Sequence, residues 1–419
     1  MFVPVRERKP KLIYPLPKII TDRLNNKITS RTTFPKFLLE EDEETQFFIE
    51  ELHKATDFRV IMKDAIKNLM TFGSAFVRVK IVNGVMGLAC YNPNQCWPKF
   101  DDNGELESIE IRHIFEKKNK KNEIKKYWYR FTMDKQRDVL YDSPEYAPGE
   151  KPTFRKVAEV AHGLGFVQGE WVKFTKNEKL FEGPSVFREI MDFGDDLSYT
   201  YTLIGGAVQY GAEPQVLLKG MEDDEIDTLV KRKEKAWALG REGDAQYLES
   251  SGAGASAAES FEQTVGRLIQ DISRVIMHDP EKFSAHAQSG KAMEILNGPM
   301  VELVEEYRPY CEKFFTRLTI KMLVSVVILT KRGMVTDFNI PGGYKPKTFD
   351  IQTEWPPVFP LSVQDKQEIV NFWTSLTTNN IVSRQTALEK MVSAKVIDEI
   401  DIQQEVNLVN TQKEFGGFF

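Results

Sequence analysis

From Ser289 to about Lys331 apolar residues return every three or four positions: Ala292, Ile295, Leu296, Leu303, Val304, Tyr307, Cys311, Phe314, Leu318 and Met322. That period predicts one long helix, on the order of 65 Å from end to end at 1.5 Å per residue. Pro299 and Pro309 should kink it. A chain carrying such a helix must fold enough other structure around it to cover its apolar side. At 419 residues there is material for two or three structural units.

Composition narrows the class. Hydrophobic residues at 41% and charged residues at 28% describe an ordinary globular chain, neither disordered nor membrane-embedded. A formal net charge of −6 argues against a protein that coats nucleic acid by neutralising phosphates, though not against one that handles it without gripping. Cys90, Cys96 and Cys311 are odd in number, far apart and without a CxxC pair, which fits a reducing interior with neither disulfide framework nor zinc site. The N-terminal "MFVPVRERKPKLIYPLPKII" breaks any apolar run with charge and proline, so no export signal is expected. The run "LTIKMLVSVVIL", Leu318 to Leu329, is too short to span a bilayer, contains Lys321, and reads as a buried helix.

Along the chain, the first fifty residues read as an extended arm, rich in proline and charge and ending in the acidic run Glu40 to Glu44. Phe48, Leu52, Ile61, Ala65, Ile66 and Leu69 then predict a helix from Thr45 to Thr71, broken near Asp57 and stopped by Gly73. After it, "SAFVRVKIVNGVMGLACY" alternates around Asn83-Gly84, a hairpin signal, and further strand-like runs place an antiparallel sheet at about 75 to 175. Between two of its strands "KKNKKNEIKK" holds six lysines in ten residues, read as a solvated hairpin tip.

A helix follows from Gly183 to Gly211, with Pro184 in its first turn. Next comes a compact piece of strand "QVLLK", helix "MEDDEIDTLVKRKEKAWALG" and strand "AQYLES", with "SGAGASAAES" as a flexible exit. A second helix, "ESFEQTVGRLIQDISRVIMH", precedes the long one. After Gly333 come strand "TFDIQTEW", the linker "PPVFP" and a tail of two helices joined at Asn379-Asn380, with Ser383 capping the second. No periodic repeat runs through the chain.

The connection "MHDPEKFSAHAQSGKAMEIL", Met277 to Leu296, invites a phosphate-loop reading because of its Ser-Gly-Lys. The Walker pattern needs glycine at 285 and Ser or Thr at 292, and the chain has Ala285 and Ala292. His278, Asp279 and His286 lack a metal-ligand spacing. Asp223 and Asp224 fall in a first helical turn, where acids are favoured for capping alone, and Asp195-Asp196 is the other acidic pair. Ser185 and Ser289 lack a nucleophile-elbow setting. No enzyme constellation, cofactor site or metal site emerges.

The order of these elements, from about Thr45 to about Met391, resembles the portal (head-to-tail connector) proteins of tailed bacteriophages. The resemblance is carried by "LMTFGSAFVRVKI", "YNPNQCWPKFDDNGELESIEIRHIF", "LFEGPSVFREIMDFGDDLSYTYT", "AEPQVLLKG", "SGKAMEILNGPMVELVEEY" and "WPPVFPLSVQDKQEIVNFWTSLTTNNIVSRQTALEKM". It implies an α+β, portal-like fold: an α/β wing in 1–182 and, with the long kinked helix, in 289–354; stem helices at 183–212 and 259–278; a small αβ clip at 213–258; a tunnel loop at 279–288; and a helical crown at 355–419. It implies a dodecameric ring at a capsid vertex that conducts double-stranded DNA during packaging and ejection. The implied partners are further copies of itself, the terminase large subunit, a neck adaptor, and a major capsid or scaffolding protein. The implied location is the virion, with assembly in the host cytoplasm and no membrane. Other neck or tail connectors, and more distantly a nucleic-acid enzyme, are the competing readings.

On this resemblance Lys282, His286 and Gln288 are the loop residues nearest DNA, or simply solvated. Lys291, in the first turn of the long helix, could meet a phosphate or serve ordinary capping. In the clip, Lys231, Arg232, Lys233 and Trp237 suit protein docking, or one solvated face beside a buried Trp237. A ring of subunits each at −6 repels phosphate overall, so a few polar loop residues would give only weak contacts blind to sequence.

Overall fold

A computed structural model describes residues 12–39, 43–118, 122–175, 180–212, 215–219, 244–248, 253–276, 290–333, 351–359, 362–379, 381–393 and 396; for 209–212, 215–219, 244–248, 253–255, 290–292 and 393 it describes backbone alone. In chain order the elements begin with α1 (Leu16–Thr29), β1 (Lys36–Leu38), α2 (Glu43–Ala55) and α3 (Phe58–Phe72). Seven strands then lead to the second half: β2 (Ser74–Val82), β3 (Val85–Tyr91), β4 (Cys96–Phe100), β5 (Leu106–Lys118), β6 (Ile124–Asp134), β7 (Arg137–Tyr141) and β8 (Lys156–Ala161). After β9 (Gly169–Lys173) come α4 (Met191–Ala212), β10 (Gln215–Lys219), β11 (Asp244–Leu248) and α5 (Ala253–Ser273). The remainder is α6 (Gly290–Leu296), α7 (Gly298–Lys331), β12 (Gln352–Glu354), α8 (Val363–Thr378) and α9 (Arg384–Ser393).

The chain divides into two units, Thr21–Ser185 with Ile276–Phe419, and Met1–Ile20 with Val186–Val275. The larger unit is built on two antiparallel sheets, one ordered β3-β2-β9 and the other β4-β5-β6-β7-β8. The single sheet expected at about 75 to 175 is therefore two. Phe76 and Trp171 from the first, with Cys96, Ile109, Ile111, Phe131 and Met133 from the second, form one core cluster, so the apolar strand faces cover each other. Asn83 and Gly84 both take positive φ, +54° and +83°, and close the β2–β3 hairpin at the Val82–Val85 pair.

The expected break near Asp57 is real. Asp57 adopts the left-handed region at φ +51° and separates α2 from α3. Gly73 ends α3 at φ +76°, and a Cβ there would lie 1.9 Å from the Gly183 carbonyl oxygen. The Gly73 carbonyl accepts from the backbone N–H of both Phe174, at 3.0 Å, and Gly183, at 3.1 Å. That tether holds the chain at 183 out of a helix: the helix expected from Gly183 starts at Met191, after a single 3-10 turn at Arg188–Ile190.

Three other expectations need correction. The first fifty residues are not simply an arm, because 16–29 form α1, with Leu16, Ile20, Leu24 and Ile28 fully buried at four-residue spacing. Pro15 and Pro17 masked that period, yet both sit at a helix start where a missing N–H costs nothing. The "AGASAA" run read as a flexible exit is the first turns of α5, as suits its alanines, and this helix ends at Ser273, not His278, because Arg274 turns left-handed at φ +56°. The long helix is interrupted at Asn297, giving α6 and α7, with Pro299 in the first turn of α7 and Pro309 inside it.

α7 is the axis of the larger unit. Cys311, Phe314, Phe315, Leu318, Met322, Leu323, Val326 and Val327 are all buried, and Phe315 packs with Phe34, Phe37 and Phe58. Lys321, the charge inside the apolar run, reaches β9, its Nζ 2.6 Å from Glu170 and 2.7 Å from the Gly169 carbonyl. In the tail, Ser362 and Asp365 form a reciprocal cap for α8, and Ser383 accepts from Thr386 N–H at 3.1 Å, as expected of the cap of α9. Asn380 at their junction lies outside the described residues.

Candidate functional site

The smaller unit is a pair of long helices, α4 and α5, joined by the start of α1, with the antiparallel β10–β11 strand pair described as backbone. Among the described residues its buried apolar side chains are Leu16 and Ile20 of α1, Ile190, Leu197, Val265 and Ile269 of α5, and Val275. Gly194 faces α1: a Cβ there would make an ordinary contact with the Leu16 side chain at 3.7 Å.

Polar groups inside the pair are satisfied locally. Ser198, Thr200 and Thr202 are buried, and each hydroxyl donates to the carbonyl four residues earlier, at 2.7 to 2.9 Å. Ser198 also accepts from the Tyr14 N–H at 3.0 Å. Tyr14 stacks on Tyr201 with ring centroids 5.5 Å apart, and the Tyr201 hydroxyl donates to Glu262 of α5 at 2.9 Å. Burial, reinforced by the Glu262 carboxylate, pushes the Tyr201 phenol well above its ordinary value, so it remains a donor at any working pH.

Two features of this pair matter chemically. α4 carries Asp192, Asp195 and Asp196 and not one basic residue, and α5 sets Glu259, Glu262 and Asp271 against Arg267 alone. Large apolar side chains also remain on the outside: Leu203 and Val208 on α4, and Phe261, Leu268 and Ile272 on α5, each between 42% and 64% exposed. Phe261, Leu268 and Ile272 follow a seven-and-four spacing, which lines them along one flank of the helix. Apolar side chains aligned in this way are candidates for contact with another protein surface.

Most of the residues singled out in the sequence fall outside the described part of the structure. Lys282, His286 and Gln288, like Lys231, Arg232, Lys233 and Trp237, lie outside the described residues, and so do Asp223, Asp224, His278, Asp279 and Ser289. Lys291 falls in α6, where only the backbone is described. Of the other candidates, Ser185 donates its hydroxyl to the Met70 carbonyl at 3.3 Å, a structural bond rather than an activated nucleophile. Among the described residues no three His, Cys, Asp or Glu side chains are grouped to hold a metal ion. No described helix is long and apolar enough to cross a membrane. The Tyr14–Tyr201–Glu262 chain was not legible in advance, since neither spacing nor motif links positions so far apart.

Compared with protein families, residues 5–407 match the phage portal protein family described as SPP1 Gp6-like. The chain belongs to that family. It is a phage portal or connector protein, of a structural family, and the resemblance read from the element order is thereby established over nearly its whole length. No curated protein matches it. Among solved structures, the portal-family chain is similar to a chain from the virion of a native gene transfer agent particle, at 10% identity and a TM-score of 0.46, covering 91% of this chain and 89% of that one. It is also similar to a chain from the neck of an empty gene transfer agent particle, at 10% identity and a TM-score of 0.48, covering 91% of each.

Proposed function

We propose that this portal-family chain is the subunit of a closed, twelve-membered ring at one vertex of a phage capsid, through which double-stranded DNA passes during packaging and ejection. The observation that carries the reading is the α4–α5 pair, which holds six acidic residues against a single arginine and keeps apolar side chains exposed on its flank. Apolar flanks pack against neighbouring copies, and acidic faces turned to the channel repel phosphate, so duplex can slide without being held. In this scheme 183–212 and 259–278 are the stem, 213–258 the clip that docks the terminase large subunit and later a neck adaptor, and 279–288 the tunnel loop. The wing comprises 1–182 and 289–354, contacting the major capsid or scaffolding protein, and 355–419 is the crown. Lys282, His286, Gln288 and Lys291 would offer passing DNA contacts that are blind to base sequence.

The test is negative-stain imaging of the purified chain. Rings with a central opening wide enough for duplex DNA are expected, and a monomer under every condition would refute the reading. A Gly-Ser replacement of 278–288 should then leave rings intact and impair packaging; unchanged packaging would remove the channel role from that loop.

A further inference from the structure

The five-stranded sheet does not end where its neighbours do. β4 leaves β5 at Ile111, and β7 meets β6 only at Phe131 to Met133, so the outer halves of β5 and β6 continue as a two-stranded ribbon. The segment around Pro144 to Tyr146 runs along β6, with Trp128 N–H donating to the Pro144 carbonyl at 2.9 Å. Among the described residues no strand pairs with the outer edge of β5 beyond Ile111. A ribbon of this kind is only marginally stable alone in water, so one that projects from a sheet is commonly covered by something else.

Its tip has a definite chemistry. The register sets Lys117 directly opposite Lys125, like charges facing each other across the ladder. Lys125 is relieved by Glu145 at 2.8 Å, and Lys126 by Glu116 at 3.8 Å. Lys117 and Lys118 are exposed and form no ion pair among the described residues. Opposite Lys118 stands Ile124, 64% exposed, between Glu123 and Lys125 in the chain.

The start of α2 carries the inverse arrangement. Glu43 and Glu44 are exposed and form no ion pair among the described residues, and in sequence they close the acidic run that begins at Glu40. Phe47, one turn beyond Glu43 on the same helix face, is 62% exposed. A pair of exposed lysines beside an isoleucine and a pair of glutamates beside a phenylalanine thus sit on different elements of one chain.

A ring closed by head-to-tail contacts needs two unlike, mutually complementary surfaces on each copy. We propose that the β5–β6 tip of one copy docks on the start of α2 of the next, with Lys117 and Lys118 against Glu43 and Glu44, and Ile124 against Phe47. The proposal rests on the ring reading and deepens it, naming a second copy of this chain as the partner. Opposite charges steer the approach and set the register, and the two buried apolar side chains slow release. The contact weakens with salt, as exposed ion pairs do.

Mass photometry of four full-length proteins tests it: wild type, Lys117→Glu/Lys118→Glu, Glu43→Lys/Glu44→Lys, and all four changes together. All positions are exposed, so thermal melts should coincide. Each double reversal is expected to lower the assembled fraction by about fivefold or more at low salt, and the fourfold exchange to restore it. Wild-type rings with either double variant assembling equally well would overturn the docking and leave the ring reading standing. Loss of assembly that the exchange does not rescue would overturn the pairing of these two patches. Intact rings that lose retention of duplex DNA on the lysine reversal would make the tip a phosphate contact instead, also against the proposal. A wild-type chain that never assembles would remove the ring reading itself, and this docking with it.

Discussion

Lys321 Nζ lies 2.6 Å from a Glu170 carboxylate oxygen, and both side chains are almost fully withdrawn from water, at 14% and 8% exposure. Arg317 reaches the other oxygen of the same carboxylate at 3.2 Å and also donates to Glu105. This cluster joins β9 to α7 across the core.

Removing one member of such a group strands the others. Glu170→Ala should destabilise the chain by roughly 3 kcal/mol in urea unfolding, because two cations lose a buried partner. Replacing the 170–321 pair together, Glu170→Leu with Lys321→Met, should recover a large part of the loss. A single variant as stable as wild type would mean that the carboxylate is solvated in solution.

Gly73→Ala is expected to be among the most damaging small substitutions. It forces a left-handed φ on a side-chain residue and drives Cβ to within 1.9 Å of a carbonyl that the chain cannot easily withdraw. A loss above about 2 kcal/mol, read from thermal or urea melts, is the expected outcome.

Two buried groups give opposite pH slopes. His53 is stacked on Phe58 at 3.9 Å, meets Phe37 edge-on at 4.7 Å and lies 2.9 Å from the Thr319 hydroxyl; burial pushes its pKa down to about 3. Below about pH 6.5 the unfolded histidine takes a proton that the folded one refuses, so its contribution is lost as pH falls towards 3. Asp138 is pushed up to about 6 by burial, against the pull of Arg78 at 3.2 Å. Its contribution is fully present below about pH 4 and is lost as pH rises through 6. Each slope is at most about 1.4 kcal/mol per pH unit. Urea unfolding between pH 4 and 6 should therefore show His53→Phe losing stability as pH rises, and Asp138→Asn gaining it. Parallel curves for the two variants would contradict both assignments.

The exposed flank of α5 supplies a prediction about assembly. Leu268→Glu removes an apolar side chain that is 44% exposed in the single chain, so the melting temperature should barely change. Ring yield by sedimentation should fall about tenfold if that flank meets a neighbouring copy. Unchanged yield would place the neighbour elsewhere.

What could be read from the sequence followed the strength of each local signal. Asn83-Gly84, the break at Asp57 and the cap at Ser383 are decided by a few adjacent residues, and they fold as their chemistry demands. α1 was hidden because Pro15 and Pro17 look like breakers unless the helix start is known. The late start of α4 depends on Gly183 meeting Gly73, a contact between positions 110 apart in the chain that no window reveals. The division of the strands into two sheets is likewise settled by long-range pairing, since β2 prefers β9 to its later neighbours. Of the candidate site, the two long helices were legible from their period, while the Tyr201–Glu262 bond required the fold to bring them together.

α7 has a mechanical side. It is a rod of 34 residues, about 50 Å at 1.5 Å per residue, gripped by dense packing along most of its length. Such an interior is hard to compress, so displacement of one end is delivered to the other rather than absorbed on the way. The soft point is Pro309, which lacks the N–H that would tie it to the turn before. A load on the rod is therefore expected to bend it there first.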